Sequence, residues 1–344
     1  MAKVTFGDIA KECRSTYKGD KSGIPIVGLE HIEPQNMLVR NFEVDTENTF
    51  TKSFKKGQVL FCRRRAYQQK AGVATFDGIC SGDITVIEAI PEKVDIGLLP
   101  FIVQNDAFFG HAVQGSAGSL SPRVKWEHLA SYEIELPSLS EQKVLAEKLW
   151  AAYRLKESYK RLLAATDEMV KSRFIEMFKD VRESKSLCAI CRPKQWPTIP
   201  TKDFTDDGYL VYGANGIIGH YSQYNHEHST ILMACRGASC GAINISQPKS
   251  YITGNAMCMD DIDDNVLFDY LAYFLSNYDY KTIITGGAQP QITVTNLQKV
   301  MVPIAPKSQQ EAFGVIVKQA DKSKFELRKS IDAIDAVIKS LINN

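Results

Sequence analysis

The sequence lacks the common signatures of nucleotide-dependent catalysis. It contains no Gly-x-x-x-x-Gly-Lys-Ser/Thr phosphate loop and no Gly-x-Gly-x-x-Gly turn. The Asp/Asn-Pro-Pro-Tyr sequence with which adenine methyltransferases hold a flipped base is also missing. These absences predict that the chain has no catalytic centre of these classes and no cofactor of its own.

Long apolar runs, an N-terminal signal pattern and a one-sided charge are absent as well. No apolar run is long enough to span a bilayer, so we expect a cytoplasmic protein without a membrane partner. Lys and Arg number 41 against 40 Asp and Glu, so any basic surface must be local. The 8 cysteines are scattered, mostly in apolar stretches, which favours buried free thiols over a disulfide framework.

Metal-binding patterns are weak. Three aspartate pairs could bind a hard cation, but each is placed in a polar turn, where solvated caps are commoner: Asp206-Asp207, Asp260-Asp261 and Asp263-Asp264. Cys188 and Cys191 form a lone Cys-x-x-Cys with no second pair nearby, and a place in the core is favoured for them. His226 and His228 are interpreted as part of a surface turn. No metal site is predicted.

The clearest positive feature is a long helix at 140–178. The stretch contains neither Pro nor Gly, and apolar or small residues recur in steps of three and four. Its length predicts a helix of roughly 58 Å at about 1.5 Å per residue. Ser140, with the nearby acidic Glu141, is the expected N-cap.

These recurring apolar or small positions form one stripe along the helix, here called the seam. The same seam recurs 168 residues further on without a gap. Even the polar seam position Lys156 has a counterpart in Lys324. Two helices with one apolar stripe each and a shared register predict an antiparallel coiled coil. The residues expected to pack in this helix pair are Leu145, Leu149, Leu163, Val170, Phe313, Val317, Ile331 and Ile338.

The repeat extends beyond the helices. Gly118 and Pro122 align with Gly286 and Pro290 at the same offset of 168, and further upstream, at an offset of 172, Arg64 aligns with Arg236. β-rich runs between turns precede each helix. The sequence therefore predicts an α+β protein with two repeated small mixed domains and two long helices. The expected segments are a first domain at 1–138, a first helix at 139–180, a second domain at 181–306 and a second helix at 307–344.

The candidate binding residues of the first copy surround a basic loop. Arg and Lys can bind phosphates, Arg can also read guanine, amide side chains can read adenine, and an aromatic ring adds a flat apolar surface. The residues are Arg63, Arg64, Arg65, Tyr67, Gln68, Gln69 and Lys70, with Ser119 and Arg123 in a Gly/Ser-rich loop. They predict a nucleic-acid contact, and the alternative is a solvated loop.

The second copy carries a different set on the same layout. Its candidates lie in a Gly- and Tyr-rich turn region, after the central strand, and in an amide-rich loop before the second helix. They are Asn215, His220, Tyr221, Gln223, Arg236, Gln289, Gln291 and Thr293. Different side chains on one repeated frame predict that the two copies read different bases.

This layout resembles the specificity subunit of type I restriction-modification systems. Each long helix follows a strand that ends in Pro and a Ser-x-Gln-like start, in ELPSLSEQ at 135–142 and PIAPKSQQ at 303–310. The strands VLFCRR at 59–64 and ILMACRG at 231–237, and the loop GGAQPQITVTNL at 286–297, also look like that family's target-recognition domains. The first copy departs from the second, with SAGSLSPR in place of the amide-rich AQPQ. No base-reading role is therefore carried from one loop to the other.

The resemblance implies a non-catalytic DNA-recognition subunit. In that family each target-recognition domain reads one half of a split site in double-stranded DNA, and the helix pair sets the gap between the halves. Helices of about 58 Å would limit the gap to at most about 17 base pairs at about 3.4 Å per base pair. The helices also dock modification subunits, which bind S-adenosylmethionine and methylate adenine, and restriction motor-nuclease subunits can join them.

Three alternatives remain open on the sequence alone. The same module can serve a methyltransferase-only system, which the neighbouring genes would show. A non-DNA coiled-coil adaptor would need exposed apolar grooves in place of Arg, Gln and Asn loops. An independent enzyme built on the aspartate pairs would show activity with a divalent metal.

Overall fold

The computed structural model describes residues 2–118, 120–254, 256–287 and 289–343, with the backbone alone of Ala2 and Asn343. The chain divides into two compact units. The first comprises residues 1–161 with 327–344, and the second comprises residues 162–326. Each unit therefore contains one part of each long helix, whereas the predicted segments at 1–138, 139–180, 181–306 and 307–344 follow the sequence alone and stay a prediction.

The first half of the chain alternates short strands and short helices before one long helix. Its strands are β1 Ala2–Thr5, β2 Ala10–Cys13, β3 Ile26–Val27, β4 Leu38–Val39, β5 Lys52–Phe54, β6 Val59–Cys62, β7 Ala71–Ala74, β8 Gly78–Cys80, β9 Ile84–Ala89 and β10 Glu133–Leu136. Its helices are α1 Phe6–Ile9, α2 Leu99–Val103, α3 Asp106–Gln114, α4 Trp126–Ala130 and α5 Leu139–Phe178.

The second half repeats this order. Its strands are β11 Ser184–Ser186, β12 Arg192–Gln195, β13 Tyr209–Gly213, β14 Gly216–Tyr221, β15 Ile231–Ala234, β16 Ile243–Ile245, β17 Tyr251–Ile252, β18 Ala256–Asp260 and β19 Met301–Pro303. Its helices are α6 Leu187–Ile190, α7 Phe268–Asn277, α8 Val294–Leu297 and α9 Lys307–Asn343. The predicted α+β class with two repeated domains and two long helices is confirmed.

Each domain is built on one larger sheet, which is mixed in the first domain and antiparallel in the second. In the first domain the strand order is β2-β9-β6-β7-β4, beside a smaller sheet β3-β8-β5 and the pair β1-β10. In the second domain the corresponding orders are β12-β18-β15-β16, β14-β13-β17 and β11-β19. The terminal strand pairs join the start of each domain to the strand that precedes its long helix.

The apolar strands β6 and β15 are buried on both faces, which explains their continuous apolar sequences. Successive side chains of a strand point to opposite faces. Val59 and Phe61 pack into the core that also contains helical residues, and Leu60 packs into a separate cluster between the two sheets. In β15, Met233 and Leu232 divide between two cores in the same way.

Both long helices begin where the sequence suggested, but the N-cap of α5 differs from the expected residue. Ser138, not Ser140, caps the helix. Ser138 N donates to Glu141 Oε2 at 2.9 Å and Ser138 Oγ donates to the same oxygen at 2.7 Å. The Ser-x-x-Glu spacing from Ser138 to Glu141 is that of a capping box.

The helices run antiparallel, and equivalent ion pairs mark the pairing in each unit. In the first unit Lys156 Nζ lies 2.5 Å from Asp335 Oδ1. In the second unit Lys324 Nζ lies 3.0 Å from Asp167 Oδ1. Lys324 follows Lys156 by 168 residues, and Asp335 follows Asp167 by the same number. The polar position that interrupts both apolar seams therefore supplies one ion pair in each unit.

Burial along the helices follows the predicted seam, although several seam residues contact the domain cores. Leu149 is buried in the first domain's core, and Val170 and Phe313 are buried in the second domain's core. Leu145, Leu163, Val317, Ile331 and Ile338 are half-buried. Which of these residues carry the pairing of the two helices stays a prediction.

A buried glutamine near the start of each long helix joins the helix to its domain. Gln142 Oε1 accepts from Asp95 N at 3.0 Å, and its Nε2 donates to Pro137 O at 3.0 Å. Gln310 Oε1 accepts from Leu267 N at 2.8 Å, and its Nε2 donates to Ala305 O at 2.7 Å. The repeated Gln thus satisfies main-chain groups of the loop that precedes α2 or α7.

Replacing Gln310 with Leu is expected to lower the free energy of unfolding by about 1–3 kcal/mol, because the part-buried Leu267 N–H loses its acceptor. Urea denaturation of the full chain measures this change. Gln309→Leu is the matched control, since the neighbouring Gln309 is exposed and should cost no more than about 0.5 kcal/mol. Equal effects of the two variants would contradict the structural role of Gln310.

Among the residues that the structure describes, none forms a helix with the length and hydropathy needed to cross a bilayer.

The Gly- and Tyr-rich stretch predicted as a turn region is instead a hairpin, β13–β14, because its turn residues are confined to Ala214 and Asn215. Polar and apolar residues share both strands, so the alternation that marks a half-buried strand is weak in the sequence.

Candidate nucleic-acid interface

In the first domain, main-chain hydrogen bonds hold the basic loop after β6 against the Gly/Ser-rich loop before α4. They are Arg65 N to Pro122 O at 2.8 Å, Val124 N to Arg63 O at 2.9 Å, Ala117 N to Arg123 O at 3.1 Å and Arg123 N to Ala117 O at 2.9 Å. We call this set of main-chain hydrogen bonds the loop ladder of the first domain. Arg64 and Arg123 lie opposite each other in it. The sequence placed these residues in separate loops, and the fold brings them together.

The second domain contains the same ladder at equivalent positions. Its bonds are Gly237 N to Pro290 O at 2.9 Å, Ile292 N to Cys235 O at 3.0 Å, Thr285 N to Gln291 O at 2.9 Å and Gln291 N to Thr285 O at 2.7 Å. Arg236 lies opposite Gln291, as Arg64 lies opposite Arg123. The predicted equivalence of Arg64 and Arg236 is therefore confirmed, and Arg123 and Gln291 occupy equivalent backbone positions.

A glycine in each Gly-rich loop has a conformation that side-chain-bearing residues rarely adopt. Gly118 has φ +116° and Gly286, its repeat counterpart, has φ +89°. Gly118 follows Ala117, and Gly286 follows Thr285, the first ladder residue of each Gly-rich loop. At this point the chain must turn back on itself. Glycine permits this turn at little steric cost.

Asp83 neutralises part of the basic surface of the first domain. Arg123 donates to its carboxylate from Nε at 2.6 Å and from Nη2 at 3.1 Å. Arg64 Nη1 lies 3.7 Å from the same carboxylate, and Arg64 Nη2 donates to Ser121 Oγ at 2.8 Å. The hydrogen bonds from Arg123 hold the pKa of Asp83 below its ordinary value. The carboxylate thus orients both guanidinium groups.

Asp83→Asn is expected to reduce the stability of the first domain by about 1 kcal/mol at neutral pH, because the bidentate ion pair is lost. The folded-state pKa of Asp83 is lowered, so its contribution is complete above the ordinary aspartate pKa of about 4. It is lost as the pH falls through the lower folded-state pKa. The difference in unfolding free energy between wild type and Asp83→Asn should therefore shrink below about pH 4, and a pH-independent difference would contradict this assignment.

The remaining residues of the basic loop differ in accessibility. Arg63 is half-buried, and its Nε atom is buried without a hydrogen-bond partner among the described atoms. Arg65 is exposed, with φ +55° at the start of a short 3-10 turn. Tyr67 is 58% exposed, and Gln68 is exposed beside it. Arg65, Tyr67 and Gln68 therefore form the accessible part of the loop.

Three further candidates of the first copy lie around the accessible part of the loop in sequence: Gln69, Lys70 and Ser119. Lys70 Nζ donates to Leu29 O at 2.8 Å, so its ammonium group already has a partner inside the domain. Gln69 lines a cavity of about 230 Å³ that also contains Tyr153 and Ile338. Ser119 lies outside the described residues. The DNA-contacting roles of Gln69, Lys70 and Ser119 stay predictions.

In the second domain, Arg236, Gln289 and Gln291 have exposed side chains beside the loop ladder. Thr293 is exposed as well, but its hydroxyl caps α8. Thr293 Oγ1 donates to Asn296 Oδ1 at 2.7 Å and accepts from Asn296 N at 3.3 Å. Because that hydroxyl is engaged in a capping box, Gln289 and Gln291 are the more available polar groups of this loop.

The hairpin β13–β14 carries the other candidates of the second copy. Asn215 is exposed at its tip, and Gln223 is exposed just after β14. His220 and Tyr221 are half-buried, and the Tyr221 ring packs edge-on against Tyr251 at 5.5 Å between centroids. The structure therefore places Asn215 and Gln223 where they can be contacted, and it places Tyr221 partly in the packing of the hairpin.

The sequence did not predict a charged cleft in the first domain. A cavity of about 830 Å³ lies next to Arg63 and Asp83, and its other basic side chains are Arg14, Lys52 and Lys125. Glu12 lies 2.7 Å from Arg14 Nε and neutralises part of this charge. These residues come from distant strands and loops, so no local pattern in the sequence could have identified the cleft.

Two interpretations of candidate metal ligands were wrong. Asp260 lies buried on β18, not in a solvated turn. His226 is half-buried, and its Nε2 lies 3.0 Å from Asp260 Oδ1, whereas a surface turn was expected. Both differences arise because Trp196 and His226, which lie far upstream in the sequence, contact Asp260 at the end of β18.

Comparison with known sequences finds similarity over less than half of the chain. A family model described as the type I restriction modification DNA specificity domain matches residues 179–334. The specificity subunit of the type I restriction enzyme EcoDI from Escherichia coli is 25% identical over 156 residues, which cover 43% of this chain and 34% of that protein. That of EcoprrI, from the same organism, is 24% identical over 136 residues, which cover 40% and 33%. The matches therefore span about a third of each relative.

Two solved structures share the fold along nearly the whole chain. The type I restriction-modification S subunit from M. genitalium superposes with a TM-score of 0.65 at 13% identity, covering 99% of this chain and 94% of that one. A chain from a structural study of assembly and conformational transition of the type I R-M system has a TM-score of 0.56 at 17% identity, covering 99% and 96%. At these identities the likeness establishes a common fold.

Proposed function

We propose that this chain, a member of the type I restriction-modification specificity subunit family, reads a two-part DNA site and positions modification subunits on it. The observation that carries the proposal is the pair of equivalent loop ladders. One presents Arg64 and Arg123, and the other presents Arg236 and Gln291. Equivalent backbones with different side chains suit two half-sites of different sequence.

The exposed side chains suit two kinds of DNA contact, with phosphates and with base edges. Arg65 and Arg236 suit phosphates, whose contribution is largely independent of sequence. Gln289 and Gln291 suit base edges, because an amide can donate to and accept from adenine in the major groove. Asn215 and Gln223 on the hairpin extend the same chemistry. This division assigns affinity mainly to the arginines and specificity mainly to the amides.

The proposed role includes no catalysis by this chain. Type I specificity subunits are non-catalytic, and methyl transfer would take place in modification subunits that dock on the helix pair and bind S-adenosylmethionine. The two long helices would set the gap between the half-sites. Restriction motor-nuclease subunits can join the same complex, and a methyltransferase-only system would use the same surfaces.

Single-molecule sequencing of methylated adenines in the host genome, with and without this gene, tests the proposal. We expect one split motif, with two short specified halves around a fixed gap, to lose its methylation when the gene is removed. An unchanged methylation pattern, in a host that expresses the modification subunit, would contradict the proposal. The runner-up function is then a coiled-coil adaptor, and pull-down with the helix pair would identify its protein partners.

Arg65→Gln is expected to weaken DNA binding at all sequences and to lower the slope of log affinity against log salt by about 1, because one phosphate contact is lost. The assembled complex is titrated with specific and non-specific duplexes at several salt concentrations. Lys56→Gln, which removes an exposed charge at the opposite end of β6, is the control. A loss confined to one sequence would instead make Arg65 a base-reading residue.

A further inference from the structure

His226, Cys258 and Asp260 bring three metal-ligating atoms together in the second domain. One ligand atom from each residue lies within 4.8 Å of the others. Cys258 and Asp260 are two residues apart on β18 and therefore point to the same face of the sheet. His226 comes from the segment after the hairpin, so the cluster lies where the hairpin sheet meets the larger sheet.

Both ring nitrogens of His226 face oxygen acceptors. Asn225 Oδ1 accepts from Ile252 N at 2.8 Å, and Asn225 Nδ2 donates to Ile252 O at 3.0 Å, which fixes the orientation of the amide. His226 Nδ1 lies 2.7 Å from that Oδ1 and must donate to it. His226 Nε2 lies 3.0 Å from Asp260 Oδ1, a second acceptor. A cation between Nε2 and the carboxylate would satisfy both groups.

We propose that His226 Nε2, Cys258 Sγ and Asp260 Oδ1 bind one divalent metal ion of the zinc class. A shared proton would satisfy the His–Asp contact alone, whereas the metal also uses the nearby thiol. Imidazole, thiolate and carboxylate together are typical zinc ligands. In a tetrahedral zinc site, ligand atoms are roughly 3.3–3.8 Å apart, so side-chain shifts on the order of 1 Å from the described positions complete the site.

Neighbouring side chains form hydrogen bonds with the proposed ligands, as is usual around metal sites. His226 Nδ1–H is held by Asn225, and Trp196 Nε1 donates to Asp260 Oδ2 at 3.0 Å, which leaves Oδ1 for the metal. Such partners fix the tautomer and the direction of each ligand. A cleft of about 430 Å³ lined by His226 and Asp260 gives a path for the ion and for a water as fourth ligand.

The first domain provides an internal comparison. At the offset of 172 that aligns the central strands, Val86 and Glu88 correspond to Cys258 and Asp260. A valine cannot bind a metal, so the proposed site is a property of the second domain only. Binding requires the Cys258 thiol to lose its proton to solvent, and the ion would join the hairpin segment to β18.

Cobalt titration of the metal-free full chain tests the proposal, because Co²⁺ bound to a thiolate shows a charge-transfer band in the near ultraviolet. We expect one Co²⁺ per chain, displacement by Zn²⁺, and loss of the band in Cys258→Ser but not in Cys80→Ser, a buried thiol of the first domain. Trp196→Phe, which keeps an aromatic ring but removes the donor to Asp260, should weaken Zn²⁺ binding roughly 10- to 100-fold.

Absence of a band in the wild-type chain, or its persistence in folded Cys258→Ser, would overturn the proposal in favour of a proton shared by His226 and Asp260. If Cys258→Ser does not fold, X-ray absorption of the zinc-loaded wild-type chain decides. One sulfur with nitrogen and oxygen ligands supports the site. A sulfur-free shell or two or more sulfurs overturns it.

Discussion

Gln291→Arg is expected to change the base preferred by the second domain at one position from adenine to guanine, with the first half of the site unchanged. Gln291 occupies the backbone position that Arg123 occupies in the first domain, and main-chain hydrogen bonds hold both positions. Gln bonds adenine N6 and N7, whereas Arg bonds guanine O6 and N7. A good bidentate pair discriminates by about 1–3 kcal/mol, which corresponds to roughly 5- to 150-fold.

Selection from a library of randomised two-part sites, with the chain assembled with its modification subunits, measures the change. Gln298→Arg adds the same charge after α8, where Gln298 is also exposed, and should raise affinity without altering preference. If Gln291→Arg changed affinity equally for every sequence, Gln291 would contact phosphate. The reverse substitution, Arg123→Gln, also frees Asp83, so the first domain should change in both preference and stability.

Phe313→Ala is expected to destabilise the second unit by about 3–5 kcal/mol, the largest effect on stability that we predict. Phe313 is fully buried. Its ring lies 4.8 Å from Tyr273, 5.2 Å from Phe174 and 5.6 Å from Phe178, measured between centroids. Truncation removes the ring that joins α9 to α7 and to the end of α5, and leaves a cavity among rigid aromatic groups.

Urea denaturation with hydrogen exchange at the amides of β15 and β18 measures the loss in that unit. Phe325→Ala is the matched control, because Phe325 lies on the same helix with 63% of its surface exposed. This control should change the unfolding free energy by no more than about 0.5 kcal/mol. Comparable losses in the two variants would contradict the assignment of this stability to burial of the Phe313 ring.

Two kinds of sequence pattern predicted parts of the fold: the apolar period of the long helices and the internal repeat. The seam from Leu145 to Phe174 recurs at the second helix, and it predicted two long helices because a 3.6-residue period can be read locally. The equivalence of Arg64 and Arg236 followed from the repeat, because loop insertions left the order of the central strands intact. Local patterns of this kind survive without knowledge of the fold.

Features that depend on distant partners were not predictable. Asp83 is 40 residues from Arg123 along the chain, and only the fold brings its carboxylate to the guanidinium group. Asp260 appeared as one of a pair of exposed turn residues, because nothing in DDIDD shows that Trp196 and His226 cover it. The capping residue Ser138 was missed for a smaller reason, since two serines lie close to the same glutamate.

The two loop ladders have a consequence for how such a protein can change its target. The four hydrogen bonds of each ladder join main-chain atoms, so apart from the glycine at its turn the geometry of each loop depends little on the side chains it displays. Substitutions at exposed positions such as Gln291 can therefore accumulate without loss of the scaffold. New specificities can arise by drift in a few exposed residues, and one domain can diverge while the other keeps its ancestral preference.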